Sequence, residues 1–469
     1  MNSENNSSKP RNSFTSSIGF VLAAAGSAVG LGNIWRFPYL AAKDGGGIFL
    51  FIYLILAVTF GFAMLITEVA IGRKTQESPL TAYKKLNSKW SFLGFFSFIV
   101  PFIIYPYYCV IGGWVMKYMF TYLAFLGEVT TQDGFFTGFI TSQWQPILYT
   151  VIFALCCFII VYKGVERGIE RYSKILMPIL FLIVVFIAIY SLTLRHTDAD
   201  GVTRTGLQGA SIYFIPNFKG LTFSKLLYII VDALGQLFYS LSISMGIMVA
   251  YGSYMKKENN LGKSVNQIEI FDTGIAILAG MMIIPAVFAF SGTDGMSAGP
   301  GLIFITLPKV FLSLGKFGTF IGLIFFVMVM FAAITSAVSI LEAIVSSMID
   351  RLHWSRKKAV LIMSSVAFAI SIIVCLGYNK LYFEYTLPNG AVAQILDIFD
   401  YVSNNILMPV VGLLTCLLVG WVVKPKTVVD EITRNGEHFV RKTLYIIMIK
   451  FLCPVLLFVI LLTSLGIFH

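Results

Sequence analysis

The stretch AAAGSAVGLGNIWRFPY, Ala23 to Tyr39, stands where a membrane-spanning helix is expected, yet it carries Gly26, Gly30 and Gly32 with polar Ser27 and Asn33 between them. A glycine in a helix interior costs about 1 kcal/mol relative to alanine, and Arg36 and Pro38 follow at once. In hydrocarbon an unpaired carbonyl is expensive, so an unwound segment persists only where protein, water or a bound ion satisfies it. A break here is therefore a site hypothesis. Close packing through Gly26-x-x-x-Gly30 is the plainer reading of a lone small-residue face. Two features outweigh it: the Asn33 amide beside the glycines, and a comparable disruption further on, GQLFYSLSISMG from Gly235 to Gly246, where Ser240, Ser242 and Ser244 alternate with apolar residues.

The rest of the chain supplies the solvent for these breaks. Its 469 residues are 57% hydrophobic and 12% charged, with mean hydropathy +0.84, which implies an all-α polytopic membrane protein. A span needs about 20 apolar residues. Eleven such stretches lie near 16–42, 47–72, 92–126, 147–162, 171–194, 226–253, 267–292, 319–349, 359–377, 393–423 and 443–467. The interrupted segments are spans 1 and 6, five apart. Matching interruptions in two halves point to an inverted-repeat secondary transporter with its site near the bilayer midplane. The expected organisation is a polar tail 1–15, a first repeat 16–194, an outer loop 195–225, a second repeat 226–423, an inner loop 424–442 and span 11 within 443–469.

Basic residues set the orientation. With the N-terminus inside, the inner loops hold Arg73, Lys74, Lys84, Lys85, Lys89, Lys163, Arg167, Arg171, Lys174, Lys256, Lys257, Lys263, Arg351, Arg356, Lys357, Lys358 and the basic residues of 424–442, while the outer loops are poorer. We expect a multi-pass protein of the inner (plasma) membrane, N-terminus cytoplasmic and C-terminus extracytoplasmic. The net charge of +11 then reflects topology and attraction to the anionic bilayer, with no basic domain for nucleic acid. The six cysteines all fall inside the expected spans, so neither a disulfide framework nor a zinc site is expected. No cleavable signal peptide is expected in the polar first fifteen residues. Oligomeric state is left open.

The motif GSAVGLGNIWRFPY, followed by DGGG (Asp44 to Gly47), strongly resembles the first span of the neurotransmitter:sodium symporter family, bacterial eleven-span branch. The resemblance extends from about Arg11 to the end of span 10. It implies two sodium ions. One would lie between the carbonyls of Gly26, Val29 and Ala332 and the hydroxyls of Thr335 and Ser336; neutral oxygens suit a hard monovalent cation. The second would use the Ala28 carbonyl, Asn33, Ser240, Asp272 and the substrate carboxylate. Chloride-dependent members carry asparagine at the position of Asp272, so the resemblance implies chloride independence, and the family's chloride serine has no counterpart at Ala276. Burial disfavours a bare carboxylate, which makes proton antiport on the empty return step a further expectation. The plainer reading of Asp272 is a helix cap at the start of span 7.

Where amine-transporting relatives place an aspartate, this chain has Gly30, so the substrate must bring its own carboxylate. The resemblance places that carboxylate at the Leu31 and Gly32 amides and the Tyr108 hydroxyl, and the ammonium at the carbonyls of Ala28 and Tyr239 and the Ser242 hydroxyl. Ile104, Tyr108, Tyr239, Met245, Ser336 and Ile340 would line the side-chain pocket. An apolar, partly aromatic lining implies a hydrophobic or aromatic L-amino acid. Tyr239 replaces the family's usual phenylalanine, and Ser244 a usual glycine. Arg36 and Asp400 match an outer gate. Arg11 and Asp350, with Phe14 and Tyr254, match an inner one. Gly168 and Pro178 in GIERYSKILMP match residues that let span 5 unwind. A transporter-like sensor and an ion channel are the alternatives. A channel needs a repeated filter, which is not found. An enzyme is not expected: neither HExxH nor GxSxG occurs, and the four histidines lie in loops or at the terminus.

Overall fold

A computed structural model describes residues 13–198, 201–218, 220–292, 295 and 300–467. Long helices follow the apolar stretches: Gly47–Thr75, Ser88–Leu123, Gln145–Tyr162, Val165–Leu192, Leu261–Ser291, Phe317–Leu352, Arg356–Leu376, Ile395–Val422 and Lys442–Ser464. These are spans 2 to 5 and 7 to 11. Span 1 is the pair Ser17–Ala28 and Gly32–Lys43, bent by 55°. Span 6 is the pair Phe223–Ser240 and Ile247–Ser253. Three of these helices start where a side chain satisfies a free amide: Ser16 caps Gly19, Thr222 caps Lys225 and Asn260 caps Lys263.

The broken spans form the centre. From Gly19 to Ala28 every residue of span 1 is buried, as is every residue of Ile247–Ser253. Spans 4, 5 and 11 are as apolar but only 33%, 33% and 28% buried in their apolar windows, against 67% for span 3. Uniformly apolar helices with exposed flanks match a hydrocarbon solvent, so these spans form the lipid-facing shell. Beyond span 5, Arg195–Thr197 pairs antiparallel with Thr203–Thr205, and the short helix Gly206–Phe214 returns against span 7.

Two expectations need correction. Span 6 stays helical through Ser240 and breaks only at Leu241–Gly246, because the alternation of serines begins inside an otherwise regular amphipathic turn. Span 7 begins at Leu261 rather than 267, which places Asp272 well inside the helix and removes the capping reading.

Candidate functional site

Span 1 stops when the Val29 amide closes on the Ala25 carbonyl at 2.7 Å, leaving the next carbonyls without helical partners. Span 8 meets them with hydroxyls. Ser336 Oγ lies 3.3, 3.1 and 3.5 Å from the carbonyls of Gly26, Ser27 and Val29. Thr335 Oγ1 lies 2.9 and 3.1 Å from those of Phe331 and Ala332. Gly26 faces Thr335 so closely that an added Cβ would sit 3.1 Å from the threonine Cβ. The structure thus brings Gly26, Val29, Ala332, Thr335 and Ser336 to one junction of neutral oxygens.

Across the break lies a second polar cluster. Asn33 Nδ2 donates to Asp272 Oδ1 at 2.8 Å, Ser240 Oγ donates to the same oxygen at 2.7 Å, and the Ser240 and Asn33 oxygens are 3.3 Å apart. All three side chains are buried, and Asp272 Oδ2 has no hydrogen-bond partner. A wholly buried carboxylate with one orphaned oxygen is costly unless a cation or proton joins it, so the donor set fits a sodium ion.

Between the clusters is a cavity of about 20 Å³, closed down to the room of about one water, lined by residues that include Ala28, Gly30, Leu31, Gly32, Ile104, Tyr108, Tyr239, Ser242, Met245, Ser336 and Ile340. The Tyr108 hydroxyl is buried without a partner, and an added Cβ on Gly30 would lie 3.2 Å from it. An unsatisfied donor beside a bare glycine is suited to a ligand acceptor. Ser242 Oγ donates to the Ser27 carbonyl at 3.1 Å. Tyr239 lines both this cavity and a neighbouring one of about 220 Å³ that also contains Arg36, Asp232 and Asn404.

Several residues at the site escaped the sequence reading. The span-6 break holds Ser242 and Ser244 at φ 53° and 66°, and the Ser244 amide donates to Glu68 Oε1 of span 2 at 2.7 Å. Gln236 Nε2 donates to the Gly32 carbonyl at 3.1 Å, joining the second half of span 1 to the first half of span 6. Glu170 of span 5 accepts from the Thr15 amide at 2.7 Å and the Ser16 hydroxyl at 3.2 Å. Glu342 of span 8 accepts from Tyr254 Oη at 2.7 Å and from both terminal nitrogens of Arg356, at 2.8 and 2.7 Å. The available signal was a carboxylate within an apolar run, as in ITEVAIG and SILEAIV, which by default marks function.

On the N-terminal side of the span-1 break Phe14 is fully buried among Phe20, Tyr251 and Tyr254, and its amide donates to the Tyr254 carbonyl at 3.1 Å. Asp350 accepts from the Ser78 amide at 2.7 Å; Arg11 lies outside the described residues. On the other side of the break Arg36 sits over the Tyr239 ring at 5.9 Å. Asp400 takes the Tyr107 hydroxyl at 3.0 Å and Asn404 Nδ2 at 2.6 Å, so it makes no direct ion pair with Arg36 here. Span 5 is wound through both Gly168 and Pro178, with a wide π-type turn at Val165–Glu170. Gly168 is also a packing glycine, since an added Cβ would lie 2.0 Å from the Ile160 carbonyl.

An all-α bundle whose two broken helices enclose a small polar cavity, sealed toward one face and roofed by a tyrosine toward the other, is a membrane transporter in both fold and site. The chain belongs to the sodium:neurotransmitter symporter family, which matches it over residues 11–131 and 137–469. It is therefore a sodium-coupled transporter. An uncharacterized sodium-dependent transporter of Bacillus subtilis is 33% identical, covering 97% of this chain and 98% of its own length. The rat sodium- and chloride-dependent GABA transporter 2 is 26% identical, covering 90% and 75%. The crystal structure of MhsT in complex with L-phenylalanine superposes with TM-score 0.84 at 33% identity, covering 97% and 100%.

Proposed function

We propose that this chain takes up a hydrophobic or aromatic L-amino acid together with two sodium ions by alternating access. The observation that carries the reading is the cavity itself: Gly30 offers no counter-ion for a ligand ammonium, while the partnerless Tyr108 hydroxyl and the Leu31 and Gly32 segment face the same space. A ligand carboxylate satisfies that hydroxyl and reaches toward the orphaned Asp272 cluster. The solved complex of MhsT with L-phenylalanine supports an amino-acid ligand. Ile104, Met245 and Ile340 accept an apolar side chain, and the pliable methionine adapts to its shape.

The two cation sites follow the two polar clusters. The span 1 and 8 junction would hold one ion through Gly26, Val29, Ala332, Thr335 and Ser336, and Ala28, Asn33, Ser240 and Asp272 would hold the other with the substrate carboxylate. Asp272 brings a fixed negative charge, so transport proceeds without chloride. On the empty return the same carboxylate carries a proton. The repeats are 16–194 and 226–423, whose opposed insertion supplies the two access states. The N-terminus is cytoplasmic in the plasma membrane, with Phe14 and the pair Arg11 and Asp350 as the inner closure, Arg36, Asp400 and Tyr239 as the outer one, and span 5 unwinding near Gly168 and Pro178. Solvated ion pairs suit gates because each is worth only about 0–1 kcal/mol.

Proteoliposome uptake tests the reading. Leucine, phenylalanine or tryptophan should accumulate under an inward sodium gradient in gluconate medium, and Thr335→Val should abolish that sodium-driven accumulation while leaving the fold intact. Accumulation unchanged in potassium, or competition by dopamine equal to that by tyrosine, would overturn it.

A further inference from the structure

The ends of spans 4 and 5 form a groove of about 600 Å³ lined by Tyr162, Lys163, Arg167, Arg171, Tyr172 and Ile175. Three cations and two tyrosines converge on it, and among the described residues no carboxylate lines it. Lys357 adds a fourth cation, 5.9 Å above the Tyr162 ring. Neighbouring cations on this face are neutralised by buried carboxylates: Lys174 by Glu170 at 2.7 Å and Arg356 by Glu342 at 2.7 Å. Lys163 instead donates to the Tyr172 hydroxyl at 3.1 Å and lies over its ring at 5.4 Å. Among the described residues Lys163, Arg167, Arg171 and Lys357 make no ion pair, and the neighbouring Glu166 is not part of the groove lining. Topology requires positive residues on this face; it does not require them unpaired around one concavity.

The groove also leads into hydrocarbon. Leu155, Ile159 and Tyr162 lie three and four residues apart on span 4, and Ile175, Ile179 and Leu182 do so on span 5, so each set occupies one helix face. All six are exposed. A cationic concavity flanked by interfacial tyrosines and continued by two exposed apolar strips complements a phosphate headgroup with acyl chains beneath it. Arginine's planar fork matches phosphate oxygens.

We propose that this groove is a binding site for the phosphate headgroup of an anionic membrane lipid, held by Lys163, Arg167, Arg171 and Lys357 with its chains along the strips of spans 4 and 5. The site abuts the π-type turn Val165–Glu170, whose Glu170 grips the start of span 1, so an occupied groove braces that turn.

The test uses the full chain incorporated into mixed bilayers of phosphatidylcholine and phosphatidylglycerol, then extracted gently, with retained lipid counted by native mass spectrometry. Each cation near a charged headgroup is worth about a fivefold change in binding. The double variant Arg167→Gln, Arg171→Gln should therefore retain phosphatidylglycerol about 25-fold less well, with its thermal midpoint in pure phosphatidylcholine unchanged. Lys84→Gln with Lys89→Gln removes the same charge from a different inner loop and should retain the lipid as the unmodified chain does. Should the first variant fail to fold, Lys163→Gln with Lys357→Gln replaces it with the same expected loss. Equal retention by the groove variant, equal loss in the loop variant, or displacement by water-soluble glycerol phosphate as effective as by the lipid would each overturn the proposal, the last by showing a free-phosphate site.

Discussion

Spans 1 and 6 are both interrupted at the site, by different physical means. At the break in span 1 no residue has positive φ; Val29 simply turns extended at φ −75°, ψ 91°. The glycines there matter for missing side chains, since a Cβ on Gly30 would lie 2.9 Å from Ser336 Oγ and one on Gly32 2.7 Å from the Tyr239 ring. The break in span 6 is conformational. Ser242, Ser244 and Gly246 take left-handed φ of 53°, 66° and 70°, a state costing non-glycine residues about 1–2 kcal/mol each. Span 2 supports it through the bond from the Ser244 amide to Glu68. One interruption rests on missing side chains, and the other is imposed by its neighbours.

The largest effect expected from this contrast is that of Glu68→Ala. It leaves the buried Ser244 amide unsatisfied, at about 1–3 kcal/mol, and should abolish uptake and lower the thermal midpoint, whereas Glu68→Gln keeps an acceptor oxygen and most of both. An alanine variant as stable as the parent would show that span 6 breaks unaided. Gly30→Ala is next. Its methyl must either fill the cavity or push Ser336 off the Gly26 and Ser27 carbonyls, and overpacking of this kind costs about 1–3 kcal/mol. Amino-acid binding, measured by calorimetry or scintillation proximity, should weaken about tenfold or more with little change in stability. Undiminished binding would return Gly30 to a packing role.

Ser244→Gly should act in the opposite sense. It relieves the left-handed strain and removes a buried hydroxyl that has no partner, less the glycine's extra chain entropy, for a net gain of about 1 kcal/mol read as a higher thermal midpoint. A lower midpoint would mean that the hydroxyl holds the break together.

The smallest effect concerns the outer halves of the two spans, tied by Lys43 Nζ to Asp232 Oδ2 at 2.7 Å. Beside this pair, burial first and then the Asp232 charge push the Asp44 carboxyl up to about 7. Its unfolded value is near 3.9, so the folded chain binds this proton more tightly. The penalty of ionising it in the fold grows as pH rises from about 4 to about 7 and is constant above. Asp44→Asn should therefore be more heat-stable than the parent at pH 8, with the difference shrinking toward pH 5. A difference independent of pH would remove Asp44 from the tie.

The apolar character of the spans and the break within Gly26 to Asn33 were legible in the sequence because each depends on local composition: apolar length decides a span, and clustered glycine with a polar amide decides where it stops. The pocket residues were legible only through the family motif, since residues as distant as Gly30, Tyr108, Tyr239 and Ser336 meet by folding and no periodicity links them. Tertiary structure alone decided the rest. It moved the second break to Leu241, because the left-handed serines depend on a carboxylate from span 2. It placed Asp272 deep in span 7 rather than at its cap, because the helix gains a turn and a half from the Asn260 cap. It kept Arg36 and Asp400 apart, because Asp400 has Tyr107 and Asn404 as nearer partners and the arginine rests on Tyr239. A buried charge takes whichever donor the packing brings to it, and packing is settled between helices rather than along one.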